Sequence, residues 1–253
     1  MDFGLADRRF LVGGASRGLG AAVARALVGE GARVAGISRD PAASPALPDG
    51  VRAIAADLST DDGPGIAVRA AVEALGGLDG LLVNSGGPPG GSFASVDDAT
   101  WERAIAGTLQ GTIRLIREAL PHLREGRDPS IVIVLSSSVR EPIPALITSN
   151  VLRPGLVGLI KTLVTEIAPI RINGVAPGRF DTDRVRSLDA ARAAEAGVSV
   201  DEVQGQTRAR IPLGRYGDPD ELGRVVAFLL SPAASYLDGV ILPVDGGMLR
   251  SLP

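Results

Sequence analysis

The sequence contains no cysteine, which excludes disulfides, thiolate nucleophiles and zinc–thiolate sites together. It has one histidine, His122, one lysine, Lys161, and two tyrosines, Tyr216 and Tyr236. With so few such side chains, acid–base candidates are scarce and no metal site is expected. A basic excess is also missing: 26 Lys and Arg stand against 29 Asp and Glu, a formal charge of −3. That balance argues against a partner whose phosphates need neutralising, so no nucleic acid is expected. No apolar run reaches the roughly 18 residues of a membrane span, and the opening MDFGLADRRF lacks the apolar core of a signal peptide. The expectation is a soluble, cytoplasmic protein with no membrane partner.

What is present is length and apolar residues. At 253 residues and 45% hydrophobic content, the chain can bury a sizeable core. Short apolar runs at 9–13, 33–38, 52–55, 80–84, 130–137, 171–176 and 240–244 read as strands. Helical patterns at 18–30, 63–75, 97–120, 154–167 and 219–231 alternate with them. Strands without internal alternation are buried on both faces, as when helices cover a parallel sheet. The order predicts one α/β domain over residues 1–253: a doubly wound, Rossmann-type parallel sheet of about seven strands with helices on both faces. The proline-rich stretch 41–49 reads as a surface loop. Residues 183–210, polar and arginine-rich after a strand end, read as a substrate lid, or else as a solvated helical excursion.

Gly14, Ser16, Arg17, Gly18, Leu19 and Gly20 lie where the first strand turns into a helix. Glycines there permit a tight turn and let a pyrophosphate rest on the amides of the helix N-terminus. Gly14-Ala15-Ser16-Arg17-Gly18 also fits the G-x-S-x-G elbow of serine hydrolases. That chemistry requires a histidine base, and His122, beside Pro121 among charged residues, reads as a surface side chain. The second strand ends Ser38-Arg39, an arginine where an NAD enzyme places an acid for the ribose. Arg39 and Arg17 together supply two guanidinium forks for a 2′-phosphate, so NADP(H) is expected over NAD(H). Asp40, one residue on, is the counter-evidence.

With these residues the chain resembles the short-chain dehydrogenase/reductase family of single-domain type, from about residue 5 to 248. Further motifs carry the resemblance: Asp57 with Leu58 after the third strand, Asn84-Ser85-Gly86 after the fourth, and Asn173-Gly174-Val175-Ala176-Pro177-Gly178 with Thr182 beyond. Pro212-Leu213-Gly214-Arg215 and the ending Val244-Asp245-Gly246-Gly247-Met248 also fit. The resemblance implies a dinucleotide held by the glycine turn, Ser38, Arg39, Asp57, Leu58, Asn84, Gly86, Arg153, Pro177, Gly178 and Thr182. It also implies a homodimer or homotetramer, with Leu115, Leu163 and Val164 as contacts.

The family's catalytic tyrosine and lysine are absent. Aligned through residues 156–163, the tyrosine position falls on Ser149, the lysine position on Arg153 and the helper asparagine on Thr108. Only the serine survives, as Ser138 or its neighbour Ser137, so the catalytic candidates are Ser138, Ser149 and Arg153. A serine hydroxyl is a poor acid near neutral pH, and arginine stays protonated. Glu141 is a possible substitute acid if desolvated, with an exposed loop glutamate as the alternative, and Asp181 is a weaker candidate. Water with Ser138 is a third option. Pro154, after Arg153, suits a first helical turn and predicts a late helix start.

General acid catalysis is worth roughly 10²–10⁴ in rate, whereas placing donor beside acceptor contributes about 7–11 kcal/mol. Losing the tyrosine therefore leaves hydride transfer feasible. The leading reading is an NADPH-dependent oxidoreductase acting on a carbonyl or alcohol with a non-standard site. A dinucleotide-binding sensor or scaffold without turnover, and a non-redox isomerase or lyase, fit the same residues. The glycine-rich loop 86–92 either lets substrate approach the backbone or is only a turn. Arg179, Arg184 and Arg186 suit an anionic or acyl-carrier substrate, although arginine is this chain's common basic residue.

Overall fold

Seven parallel strands form one sheet in the order β3-β2-β1-β4-β5-β6-β7. They are β1 (Arg9–Val12), β2 (Arg33–Ser38), β3 (Val51–Ala55), β4 (Gly80–Val83), β5 (Ser130–Val134), β6 (Arg171–Pro177) and β7 (Ile241–Val244). The computed structural model describes residues 2–41 and 47–251. Most of the loop expected at 41–49, residues 42–46, lies outside them. The expected Rossmann-type α/β architecture is what forms. Central strands such as β4 (GLLV) and β5 (SIVIV) are buried throughout, because helices cover both faces. The edge strand β3 alternates toward solvent.

On one face α1 (Gly18–Gly29) and α8 (Pro219–Leu230) pack over Phe10, Val12, Val132 and Val175. On the other, α2 (Gly63–Leu75), α4 (Gly111–Arg124) and α5 (Ile147–Glu166) pack over Leu11, Ile37, Leu81 and Ile133. Strand order reverses between β1 and β4, and the crevice beyond the carboxyl ends of those strands is where this architecture binds ligands.

Several expectations need correction. The helix expected at 97–120 is α3 (Asp98–Ala104), a π-helical segment at Ile105–Gln110, and α4, which runs on to Arg124. The wide segment lets the chain close onto the loop after β3, since a side chain at Gly111 would strike the Leu58 carbonyl. The helix expected at 154–167 starts at Ile147 instead, with Pro154 in its interior. Pro154 faces solvent, so the carbonyl of Asn150 that it leaves without an amide partner can be hydrated. The strand expected to reach Ser137 stops at Val134, where the Val134 carbonyl accepts from the Arg153 guanidinium and the chain turns away. Leu115 is wholly buried in the core, so it is not an interface contact. Leu163 and Val164 pack partly against that core. Residues 183–210 form two helices, α6 (Asp183–Ala196) and α7 (Val200–Ala209).

At the opposite, amino-terminal edge of the sheet, Asp79 clasps three segments. Its fully buried carboxylate accepts from the backbone N–H of Arg9 at 2.9 Å, from Arg9 Nη2 at 2.8 Å and from the backbone N–H of Arg127 at 2.7 Å. Burial alone would raise its pKa, but the Arg9 side chain and the Arg127 and Arg9 amides hold it well below the carboxylate range. A depressed folded pKa stabilises the fold fully above the ordinary value near 3.9 and progressively less as pH falls below it. Asp79→Asn is expected to cost about 3–5 kcal/mol at neutral pH, with the gap to wild type narrowing toward pH 3. Urea unfolding of both proteins at the two pH values checks this; an equal gap at both would refute it.

Candidate active site

The glycine turn follows β1 and meets the end of β4. Gly14 (φ 62°) and Gly18 (φ 56°) occupy the left-handed region that side chains avoid. A Cβ on Gly14 would lie 2.9 Å from Asn84 Nδ2, and one on Gly20 would collide with the Gly14 carbonyl. Helices α3, α6, α7 and α8 begin with side-chain caps from Asp97, Thr182, Ser199 and Asp218. Helix α1, like α2, α4 and α5, does not: Arg17 makes no cap and the first turn carries no acid. Among the described residues no side chain caps the leading amides of α1, and a cavity of about 310 Å³ opens beside them, lined by Ser16, Arg17, Gly18 and Thr182 and by Asp181 and Asp183, which Arg186 pairs. This cradle fits a diphosphate, which two orphan amides and a helix dipole would hold.

The other expected cofactor residues converge on the same edge. Ser38 ends β2 and is buried, while Arg39 beyond it and Arg17 across the crevice are exposed. Asp57 accepts from the backbone N–H and hydroxyl of Ser59 at 2.9 and 2.7 Å. The Ser59 amide bond, against some burial and helped by the charge of Arg39, holds its carboxyl below the usual range. Leu58 is buried beside it. Pro177 ends β6, the Gly178 N–H donates to Val244 O at 2.9 Å, and Thr182 caps α6. Thr182 also lies over Gly18, 3.5 Å from where a Cβ there would sit. Leu19, in the first turn of α1, is half-buried.

Ser138 and Ser149 meet in the interior. Their Oγ atoms are 3.0 Å apart, and both residues are buried. Ser138 sits in a one-turn 3₁₀ segment whose Ser136 hydroxyl accepts from its amide. Ser138, not Ser137, is thus the one paired with Ser149. Arg153 lies one helical turn after Ser149 on the same side of α5. Its Nη1 donates to Val134 O and its Nη2 to Gly86 O at 3.1 Å. Burial, then the nearby charge of Arg184, lowers its pKa to about 10, so it remains a cation at neutral pH. Thr108 is buried in the π segment, where its carbonyl accepts from Thr112 Oγ1 at 2.7 Å.

No expected substitute acid reaches this pair. Glu141 is exposed on the following turn and lacks the burial a neutral carboxylic acid needs. Asp181 is exposed and paired with Arg186 at 2.9 Å. Tyr236 is fully exposed, and the Tyr216 hydroxyl donates to Asp189 at 2.8 Å. Burial and that carboxylate push the Tyr216 phenol up, the wrong direction for a proton donor near neutrality. Lys161 is exposed, two turns beyond Arg153. His122 lies in the last turn of α4, at the edge of the sheet opposite Ser16, which removes the hydrolase reading.

Sequence reasoning missed two positioning contacts. Asn150 holds the loop before α5 by exchanging both hydrogen bonds with Ile143, at 3.0 and 2.9 Å. Arg184 Nη2 reaches across to Pro88 O at 2.6 Å. The first had a weak signal, an amide beside a helix start; the second, a long-range contact from a charged run, had none.

Comparison with known proteins places this geometry in context. A family model described as enoyl-(acyl carrier protein) reductase matches residues 14–249. The 3-oxoacyl-(acyl-carrier-protein) reductase of Vibrio cholerae is 30% identical over 94% of this chain and 96% of its own. L-Sorbose reductase of Gluconobacter frateurii, solved with NADPH and L-sorbose, superposes with a TM-score of 0.90 at 26% identity, covering all of both chains. An NADPH-bound short-chain oxidoreductase of Pseudomonas aeruginosa, described as containing an atypical catalytic center, superposes with a TM-score of 0.84 at 27% identity, over 98% of this chain and 99% of that one. Glycine turn, sheet order and relatives agree: the chain belongs to the short-chain dehydrogenase/reductase family, a family of oxidoreductases.

Proposed function

We propose that the protein is an NADP(H)-dependent oxidoreductase that interconverts a carbonyl and an alcohol using Ser138, Ser149 and Arg153. The observation that carries this is the buried serine pair, 3.0 Å apart, with a buried guanidinium one turn away that has no carboxylate partner among the described residues. The reading takes the chain as one dinucleotide-binding domain, with α6 and α7 covering the substrate. It also takes the protein as a cytoplasmic homodimer or homotetramer.

The bound dinucleotide supplies or accepts the hydride. The α1 amides hold its diphosphate, and Arg17 and Arg39 favour a 2′-phosphate. Asn84 and Gly86 line the crevice beside β4, and Pro177, Gly178 and Thr182 close it from β6. The serine hydroxyls donate to the substrate carbonyl oxygen, fixing it against the hydride path. As negative charge develops on that oxygen, the Arg153 cation stabilises it through a medium of low dielectric. The proton that completes the alcohol comes from water by way of the hydroxyl pair, because neither serine is acidic enough to be its ultimate source. Arg153 does not shuttle protons; its two carbonyl bonds fix the guanidinium in place. The Pseudomonas aeruginosa relative combines bound NADPH with an atypical catalytic center, which supports NADPH binding beside a non-standard site.

Two measurements test this reading. Arg39→Ala is expected to weaken NADPH about tenfold or more, the size of one charge-assisted phosphate bond, while leaving NADH almost unchanged. Fluorescence titration checks it, and tighter binding of NADH than NADPH by the wild type would refute the NADP assignment. Ser149→Ala is expected to lower kcat by about 10²–10³ in carbonyl reduction without weakening NADPH binding. Consumption of NADPH across a panel of activated carbonyls provides the assay. Binding without any consumption would favour the sensor or scaffold alternative.

A further inference from the structure

Three arginines flank the start of the 183–210 excursion, and the structure separates them. Arg179 is paired with the buried Asp189 at 3.3 Å. Arg186 is held between Asp181 at 2.9 Å and Asp183 at 3.2 Å. Arg184 has no carboxylate partner among the described residues; its Nη2 donates to the Pro88 carbonyl at 2.6 Å. Its guanidinium lies against Gly87, where an added Cβ would be 3.1 Å from Nε. Arg153 bonds Gly86 O, at the other end of the same three-residue stretch, and also has no carboxylate partner among the described residues.

Two cations therefore hold one short backbone segment, and they sense each other's charge. Their two carbonyl anchors are two residues apart, so they are separated by at most about 7 Å along the chain. Arg153 is buried and Arg184 exposed, so the like charge costs the buried member most, and an anion beside Arg184 would relieve it. No side chain among the described residues supplies that anion. Gly86 has open space where a side chain would stand, so a ligand can approach the backbone there, beside the Arg184 guanidinium that covers Gly87.

Resting on the oxidoreductase reading above, we propose that the substrate is a short oxo acid. Its carbonyl sits on the Ser138–Ser149 pair, and its carboxylate, one or two carbons away, is received by Arg184. The reaction balances as reduction of the oxo acid by NADPH and one proton to the hydroxy acid and NADP⁺. Arg184 is then the specificity-determining residue. Its fork binds the carboxylate in the ground state and the transition state alike, while Arg153 acts on the oxygen that gains charge.

The test compares acetoacetate and 2-oxobutanoate with their methyl esters. Binding of each to the complex of wild-type protein with NADPH is read as the half-saturating concentration for NADPH consumption or, where nothing is consumed, for the change in NADPH fluorescence. Either acid should bind at least about tenfold tighter than its ester, the size of one charge-assisted hydrogen bond. Arg184→Met should erase that ratio, and Arg184→Lys should restore part of it. Equal response to acid and ester, or response to neither, overturns the proposal. So does an Arg184→Met variant that loses NADPH affinity to the same degree, since Arg184 would then serve the cofactor. Failure of the wild type to bind NADPH at all would instead overturn the dinucleotide reading on which the proposal rests. If Arg184→Met does not fold, the wild-type acid-to-ester ratio alone still decides.

Discussion

The buried guanidinium of Arg153 is the constraint around which the site is organised. A cation taken out of water costs several kcal/mol unless its surroundings replace the lost hydration. Here backbone carbonyls do so, from the end of β5 and from the segment after β4. The first of those bonds takes the Val134 carbonyl, one residue before the last β5–β6 bond at Leu135, where the chain leaves the sheet toward Ser138. Together the two bonds tie α5 to the sheet edge where β4 and β5 leave it. No carboxylate among the described residues pairs with the charge itself, and that potential is what the serine pair can use.

Around this point the site is built by backbone geometry more than by reactive side chains. Glycines shape the first turn, a helix start without a cap offers amides, and a wide helical segment brings Thr108 inside. Such features tolerate change in the side chains that do chemistry, because the scaffold still brings reactants together. A chain can keep this cradle while exchanging a phenol and an ammonium for a hydroxyl and a guanidinium.

Much of this was legible in the sequence. Buried strands show as apolar runs, and the glycine turn shows because left-handed backbone and close approach demand glycine at Gly14 and Gly18. Ser138, Ser149 and Arg153 follow from the resemblance to the short-chain dehydrogenase/reductase family, by alignment through residues 156–163. The misreadings have physical causes. Pro154 costs the helix one hydrogen bond wherever it sits; on the solvent side the freed carbonyl can be hydrated, so it is tolerated mid-helix. The π segment depends on the approach of Gly111 to Leu58, a contact between residues far apart in sequence. Which arginines are neutralised cannot be read from a charge run, since the partners Asp181, Asp183 and Asp189 are chosen by the fold. Leu115 looks the same whether it faces the core or a second subunit.

One arrangement in the excursion limits how the molecule can move. Asp189 on α6 is buried and bound by Arg179 from the loop after β6 and by Tyr216 from the loop before α8. Swinging α6 away would break both of these contacts at once. The helix pair therefore behaves as a fixed wall. Traffic in and out of the crevice falls to the opposite rim, where the loop through Gly91 and Phe93 faces the loop through Pro142 and Ala145 across an apolar groove. Those two loops are joined by backbone bonds from Gly91 to Ala145 and Ile147, so the groove between them has a tied base and an apolar mouth.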